Sequence, residues 1–252
     1  MQELFSKTIK VLSFLIIIGS FNQNLQAQIG ITGTFTNIDA PNWQESMINS
    51  TRFDFPNDFE WSSSFKVGID YTIKVLPETR LYIQPGISYS SFKEDDIFNT
   101  STAMASTAAF NVNIIDASIP INLYFLDIEG DCDCPTFSKD GNVIKKGLFF
   151  QVSPGLTYTN NQIIQSINGS DISTNYTDIS PNLGVGLGLD IGLSDYITIT
   201  PLVRFTRHFN VEWESLDNNL NVEPSTVEQV ELNTSPINQF EAGLRVEFRW
   251  KN

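Results

Sequence analysis

The sequence contains a single histidine, and its residue type allows either a catalytic or a structural role. His208 is followed shortly by Glu212, Glu214 and Ser215. A histidine base, an orienting acid and an attacking serine would together make a hydrolase or an acyltransferase. The spacing is not diagnostic of such a site, and one histidine lies near some acid by chance. We therefore expect His208 to face inward near the external rim, with Glu212 and Glu214 just beyond it, as a hydrogen-bonded histidine, and catalysis at that rim is the alternative.

A second group of residues carries charge on segments that are otherwise apolar at every other position. It comprises four basic and five acidic side chains: Lys66, Asp70, Asp116, Asp190, Arg204, Glu241, Arg245, Glu247 and Arg249. An unpaired buried ion is costly, so nearly balanced charges in an enclosed interior are expected to pair with one another. We predict a lumen filled by this charge network. A narrow path for ions or protons is the alternative.

The two cysteines form a third candidate, in the stretch "GDCDCP". Cys132 and Cys134 would lie about 6–7 Å apart in extended chain, at the upper edge of disulfide reach. An oxidising compartment favours the bond, although so tight a ring is easily reduced. A metal site formed with Asp131 and Asp133, or a functional thiol switch, are the alternatives. We predict a small structural disulfide that fixes a periplasmic turn.

The elements that position these residues follow from an alternation seen most clearly in "QFEAGLRVEFRWKN" at the end of the chain. Leu244, Val246 and Phe248 share one parity, whereas Glu241 and Arg245 share the other. Alternate residues of a strand face opposite sides, so one face is apolar and the other is charged. The pattern recurs upstream and predicts eight strands: Gln28–Ile38, Trp61–Val75, Arg80–Phe92, Ile114–Phe125, Leu148–Thr159, Ile179–Leu193, Tyr196–Val211 and the C-terminal segment.

The connections and the polar face indicate how these strands are arranged. Short turns ("LPET", "LSD") alternate with the long polar links Asn37–Glu60, Lys93–Ala109, Asn160–Asp178 and Glu212–Pro236. The one exception is the link Asp127–Lys146, which is expected on the periplasmic side and yet is long. The polar face is mostly Gly, Ser, Thr and Asn, which suits the cramped interior of a small barrel. We predict an all-β, eight-stranded antiparallel up-and-down transmembrane β-barrel with short periplasmic turns and long external loops. A secreted soluble β-barrel or sandwich is the alternative.

Two further features of the strands can be checked. Aromatic residues near the strand ends are expected to form girdles at the membrane interfaces: Trp61, Tyr89, Phe92, Tyr124, Phe149, Tyr158, Tyr196 and Trp250. Four prolines interrupt the predicted strands, at Pro85, Pro120, Pro154 and Pro201. Either they form a ring of local bulges at one depth, or their similar positions are a coincidence.

The start of the chain and its charge restrict where the protein acts. Lys7 and Lys10 precede the apolar run "VLSFLIIIGSF" and a small residue, Ala27, which is typical of a secretory signal peptide over residues 1–27. The barrel domain is then 28–252. Without that segment the chain holds 13 basic and 28 acidic residues, a net charge of −15, which argues against nucleic acid as a partner.

Several of these segments resemble the PorT-like outer-membrane β-barrel proteins of Bacteroidota. The resemblance is carried by "LYIQPGISYS", "DASIPINLYF", "FFQVSPGLTYT", "NLGVGLGLDIGLSDYITITPLVRF" and "FEAGLRVEFRW". The "DCDCP" turn and the final Lys251–Asn252 depart from the family pattern. The resemblance implies an outer-membrane barrel in a Gram-negative cell and does not imply an activity.

The expected partners follow from this location. We expect contact with outer-membrane lipids, an envelope protein partner at the periplasmic turn or the external loops, and no cofactor or metal. The external links are acidic, at Lys93–Asp96 and at Glu212, Glu214, Asp217, Glu223, Glu228 and Glu231. Solvation of these carboxylates is the simpler expectation, and divalent ions bridging them to phosphorylated lipid headgroups are the alternative. The predicted function is a non-enzymatic barrel with a plugged lumen and a structural or binding role.

Overall fold

The computed structural model describes most of the chain after residue 27. The described residues are 28–75, 80–98, 106–126, 147–167, 170–194, 196–214, 216–220 and 233–249. The predicted signal peptide, Trp250, Ser215 and the pair Cys132 and Cys134 lie outside them, and so does the long predicted periplasmic link Asp127–Lys146.

The described residues form eleven strands and two short helices. The strands are β1 (Gln28–Asp39), β2 (Ser64–Lys74), β3 (Leu81–Ile83), β4 (Gly86–Phe98), β5 (Ser106–Ser118), β6 (Ile121–Leu123), β7 (Leu148–Ile167), β8 (Ser170–Leu189), β9 (Ile191–Gly192), β10 (Ile197–Glu212) and β11 (Thr234–Arg249). The helices are α1 (Pro41–Ile48) and α2 (Leu216–Leu220).

The strands pair into a closed ring. Pro85 separates β3 from β4, Pro120 lies between β5 and β6, and Asp190 separates β8 from β9, so the eleven strands make eight spans of the ring. Each span pairs antiparallel with the next, and β1 pairs with both β2 and β11. The described strands therefore form an antiparallel ring of eight spans in up-and-down order.

The two ends of the ring differ. At one end, called the terminal end, Gln28 pairs with Arg249. At the other, called the distal end, lie both helices and the tip of the β7–β8 hairpin, where Ile167 pairs with Ser170. The β7 and β8 strands are 20 residues each, the longest of the described strands, and β5 accompanies β7 to the distal end, where Ser106 pairs with Ile167.

The alternation of the sequence separates an outer from an inner surface. Large apolar side chains are exposed on the outside of every span, including Phe35 at 72%, Ile87 at 58% and Leu244 at 53%. The residues between them face the interior and are buried, among them Lys66, Glu241 and Arg245. In β1, for example, the buried positions are predominantly the even ones.

The carbonyl groups of three prolines each accept a backbone hydrogen bond from the adjacent span. The Pro85 carbonyl accepts from Tyr71 N at 3.0 Å, the Pro120 carbonyl from Gln84 N at 2.8 Å, and the Pro154 carbonyl from Ile119 N at 2.9 Å. Pro201 lies within β10 opposite Leu244. Strands end at Pro85 and Pro120, whereas β7 and β10 continue through Pro154 and Pro201 without a register shift at either residue, so only two of the four prolines mark an irregularity.

The predicted link lengths need correction at the distal end. Lys93–Ala109 was expected to be a loop, but β4 runs to Phe98 and β5 begins at Ser106. Likewise Asn160–Asp178 is mostly strand, because β7 and β8 continue to Ile167 and from Ser170. Asn and Thr on the outward face hid these strand segments, since the apolar alternation used for prediction stops there.

The predicted aromatic girdle is correct only in part. Tyr89, Tyr158 and Tyr196 are exposed on the outside. Four other aromatic residues of the predicted girdle lie inside the ring at 1–5% exposure: Trp61, Phe92, Tyr124 and Phe149. Phe92 has the parity of the buried Ser90, so alternation places it inside. In the described part of the chain, neither helix is long or apolar enough to cross a membrane.

Candidate functional site

The interior holds an upper charge cluster centred on Lys66. Its ammonium donates to Asp116 Oδ2 at 2.7 Å, to Glu241 Oε1 at 3.0 Å and to Gln239 Oε1 at 3.1 Å. Lys66, Asp116 and Glu241 come from β2, β5 and β11, which lie on different sides of the ring. All three are at most 4% exposed. One lysine therefore joins two acidic residues across the lumen.

His208 belongs to this upper cluster rather than to a rim site. Its Nδ1 lies 2.7 Å from Thr157 Oγ1 and 3.6 Å from Asp116 Oδ1, and its Nε2 lies 3.2 Å from Gln239 Oε1. The histidine is fully buried, whereas Glu212 is exposed at the end of β10. The prediction that His208 lies near the rim beside Glu212 and Glu214 is wrong, because a bulge separates them.

The contacts of His208 also differ from those of a catalytic triad. In a triad, one ring nitrogen faces the nucleophile and the other faces the acid. Here Nδ1 faces both the Thr157 hydroxyl and Asp116, and the Thr157 hydroxyl itself donates to Asp116 Oδ1 at 2.8 Å. The geometry holds a polar network together and presents no activated hydroxyl to an open site.

A lower charge cluster lies nearer the terminal end, centred on Arg245. Its Nη2 donates to Asp70 Oδ1 at 2.6 Å and its Nε donates to Asp70 Oδ2 at 3.0 Å, while Nη1 donates to Glu247 Oε2 at 2.7 Å. The guanidinium also donates to Thr72 Oγ1 at 2.8 Å, and Thr72 donates in turn to Glu247 Oε2. Bidentate contacts of this kind are among the strongest polar interactions in proteins. The lower cluster therefore connects β2 and β11 from within.

The remaining three charged residues contact neutral partners. Arg204 Nε donates to Gln151 Oε1 at 2.9 Å. Asp190 accepts from the hydroxyls of Tyr124 and Thr200. Arg249 Nε lies 2.8 Å from the side-chain amide of Gln28. The structure thus places the nine charged residues in two ion-paired clusters with three further members at their margins.

A small cavity separates the two clusters. It has a volume of about 40 Å³ and is lined by Lys66, Glu241 and Arg204 on one side and by Asp70 and Arg245 on the other. A void of that size in polar surroundings holds a few water molecules. It is far smaller than the ~300 Å³ or more of a typical small-molecule pocket.

The distal end of the lumen is closed by a feature that the alternation of the sequence does not predict. Helices α1 and α2, residues 53–61 and Trp213 pack over the upper cluster and are here called the aromatic cap. Trp43 and Trp213 meet edge to face at 5.3 Å, and both are fully buried. Phe53 and Phe55 contact Phe110 of β5 at 5.5 and 5.2 Å. The cap is therefore a second, apolar core inside the ring.

Two local features of the sequence make the cap possible. The inward positions of β5 become apolar towards the distal end, at Phe110, Val112 and Ile114. In β10 a bulge between His208 and Val211, with Asn210 at φ 51°, shifts the inward parity so that Val211 and Trp213 face the cap. The density of aromatic residues in "FDFPNDFEW" was the available signal, because a solvated loop has no need of four aromatic side chains.

The terminal end of the lumen is narrowed by aromatic side chains. Tyr124 packs against Phe149 at 5.3 Å and Tyr82 at 5.5 Å between ring centroids. The guanidinium of Arg80 lies 4.4 Å from the centre of the Tyr124 ring. Among the described residues, no group of three or more His, Cys, Asp or Glu side chains is placed to hold a metal ion.

The comparisons with known proteins are limited to structure. No family model matches the chain, and no curated protein matches it, so the resemblance to PorT-like proteins stays a prediction. Neisserial surface protein A is 11% identical and covers 89% of this chain and 97% of its own, with a TM-score of 0.41. The attachment invasion locus protein Ail of Yersinia pestis is 10% identical over 89% and 99% of the two chains, with a TM-score of 0.40.

A third solved structure is the N-terminal β-barrel domain of Pseudomonas aeruginosa OprF. It is 14% identical to this chain, covers 90% of it and 100% of its own length, and has a TM-score of 0.33. The structural neighbours are outer-membrane β-barrel proteins.

Proposed function

We propose that this protein is a non-enzymatic β-barrel of a Gram-negative outer membrane, with a plugged lumen and a structural or binding role in the envelope. The observation that carries the proposal is the contrast between the two surfaces of the ring. The outside exposes large apolar side chains on every span, whereas the inside holds paired charges beneath an apolar cap.

The outer surface supports a lipid environment. A monomeric protein in water rarely exposes a contiguous apolar patch of more than a few hundred Å². Here the exposed apolar side chains surround the ring, as with Ile69, Leu156, Leu187 and Phe240 on four different spans. In a bilayer these side chains contact acyl chains, and closure of the ring leaves no unpaired strand edge within the hydrocarbon.

The interior supports a plug rather than a channel. A conducting pore needs a continuous column of water, but an eight-stranded ring is only wide enough for its own side chains. The upper cluster connects β2, β5 and β11 through the lumen, the lower cluster lies over β1, the cavity between them is about 40 Å³, and the aromatic cap lies above. The charged residues therefore neutralise one another instead of lining a path for ions.

The same geometry weighs against the two alternatives that remained from the sequence. A hydrolase or acyltransferase needs its base within reach of a substrate, but His208 is fully buried beneath the cap. A narrow channel would need a water path past Arg245 and Glu241, and both are held in ion pairs with side chains of β2. An envelope partner at the external loops or the periplasmic turn remains part of the proposal.

Two measurements test the proposed function. An unboiled gel sample of the refolded protein should migrate differently from a boiled one, as closed membrane barrels do. In planar bilayers the inserted protein should show no stable single-channel steps. Identical migration of both samples would contradict the barrel, and large stable steps would contradict the plugged lumen.

A further inference from the structure

The outward face of β5, β7 and β8 changes character abruptly towards the distal end. Ile115, Tyr158 and Ile179 form one cross-strand row and are 39–52% exposed. The next two rows contain only neutral polar side chains: Asn113, Asn160 and Thr177, then Asn111, Gln162 and Asn175. These six residues are here called the amide face. It directly continues the apolar face that the proposed function places against lipid.

The amides of this face are only partly satisfied by one another. Asn111 Nδ2 donates to Gln162 Oε1 at 3.2 Å, and the Tyr89 hydroxyl donates to Asn113 Oδ1 at 3.0 Å. Within the described chain, the side-chain NH₂ groups of Asn160 and Gln162 have no hydrogen-bond partner. The NH₂ groups of Asn160 and Gln162 are therefore donors available to a ligand on the outer wall of the ring.

The chemistry of the face excludes ionic recognition as its main role. None of the six residues is charged, so a phosphate group would find no cation among them. The nearest cation along these rows is Lys93, opposite Asn111, and its ammonium pairs with Asp95 at 2.7 Å. Neutral amides, which combine donors and acceptors, match the hydroxyl groups of a sugar instead.

The position of the amide face determines which part of a lipid molecule it contacts. A lipid whose chains lie against Ile115 and Tyr158 has its headgroup at the height of the next two rows. We propose that the amide face binds the carbohydrate headgroups of glycolipids in the distal leaflet, through hydrogen bonds from Asn160, Gln162 and their neighbours. This inference rests on the proposed membrane location and adds the class of lipid and the surface that selects it.

The test compares lipid retention by the full chain and two double variants. Each protein is reconstituted in phosphatidylcholine vesicles containing a minor fraction of either digalactosyldiacylglycerol, a neutral glycolipid, or phosphatidylglycerol, an anionic phospholipid. Mild detergent then releases the protein, and native mass spectrometry counts the lipids still bound. The test variant is Asn160→Leu with Gln162→Leu. The matched control is Asn37→Leu with Asn238→Leu, two amides on the outward faces of β1 and β11.

The wild type should retain the glycolipid in preference to phosphatidylglycerol. In the test variant the ratio of retained glycolipid to retained phosphatidylglycerol should be about fivefold lower, as expected for the loss of a net hydrogen bond. The control variant should behave like the wild type. Equal retention by wild type and test variant would overturn the inference, and so would a preference for phosphatidylglycerol. Failure of all three proteins to insert into vesicles would instead contradict the membrane location itself.

Discussion

The guanidinium of Arg245 lies directly against the backbone of Gly30. A Cβ at that glycine would lie 2.5 Å from Arg245 Nε, so the guanidinium would have to move away from its present partners. The lower charge cluster therefore exists because β1 carries no side chain at this point. The contact lies between strands β1 and β11, which pair with each other and close the ring.

The first prediction follows from this contact. Gly30→Ala should displace Arg245 from Asp70 and Glu247 and destabilise the protein by about 2–3 kcal/mol, as overpacking of a well-packed interior does. Urea unfolding in detergent or bilayers measures the change. Gly68→Ala is the matched control, because its new Cβ would lie 3.1 Å from Ser88 Cβ and needs only a small adjustment. Equal costs for the two variants would refute the close approach.

A second prediction concerns Lys66. Lys66→Met leaves Asp116 and Glu241 buried without their common partner, so the free energy of unfolding should fall by about 3–5 kcal/mol. Lys93→Met is the control, since Lys93 pairs with Asp95 at 55% and 47% side-chain exposure and should cost about 1 kcal/mol or less. A Lys66 variant as stable as the control would show that the lumen carboxylates do not depend on this ammonium.

A third prediction separates exposure to lipid from exposure to water. Leu244 is 53% exposed and Ile172 is 58% exposed, so in water both positions would accept arginine equally. If Leu244 lies in the hydrocarbon, Leu244→Arg should cost about 2–4 kcal/mol. Ile172→Arg, near the tip of the β7–β8 hairpin, should change stability by about 0.5 kcal/mol or less. Similar small costs at both positions would exclude the membrane-spanning role.

The fourth prediction addresses the aromatic cap. Trp213→Ala removes a fully buried ring from contact with Trp43 and Phe110. The loss of unfolding free energy should be about 3–5 kcal/mol, and residues 49–61 should become sensitive to protease added from the distal side. Phe98→Ala, at 63% exposure, is the control for an aromatic residue outside the cap. Protease resistance that persists in Trp213→Ala would mean that the cap does not depend on the tryptophan pair.

The alternation of the sequence predicted the spans and their two faces well, because side-chain direction in a strand depends only on parity. Leu244 and Phe248 are exposed and Arg245 and Glu247 are buried, as the final stretch indicated. The assignment of which charges pair could not follow from parity. Lys66, Asp116 and Glu241 are far apart in sequence, and their contact depends on the closure of the ring.

The aromatic cap escaped prediction for a different physical reason. Phe110, Val112 and Ile114 are apolar and face inward, which contradicts the rule that the inner face is polar. That rule fails wherever another part of the chain covers the inner face and excludes water. The rim position predicted for His208 failed with it, since the cap lies where an open rim was expected.

The tryptophan pair of the cap also has a consequence for the order of folding. Trp43 follows β1 and Trp213 follows β10, so the contact at 5.3 Å joins segments on either side of the β1–β11 seam. Contacts between such distant parts of a chain form late, after the entropy of closing a long loop has been overcome. Quenching or shifting of tryptophan fluorescence should therefore report the pairing of β1 with β11, after the hairpins have assembled. The cap would then slow the separation of β1 from β11 during unfolding.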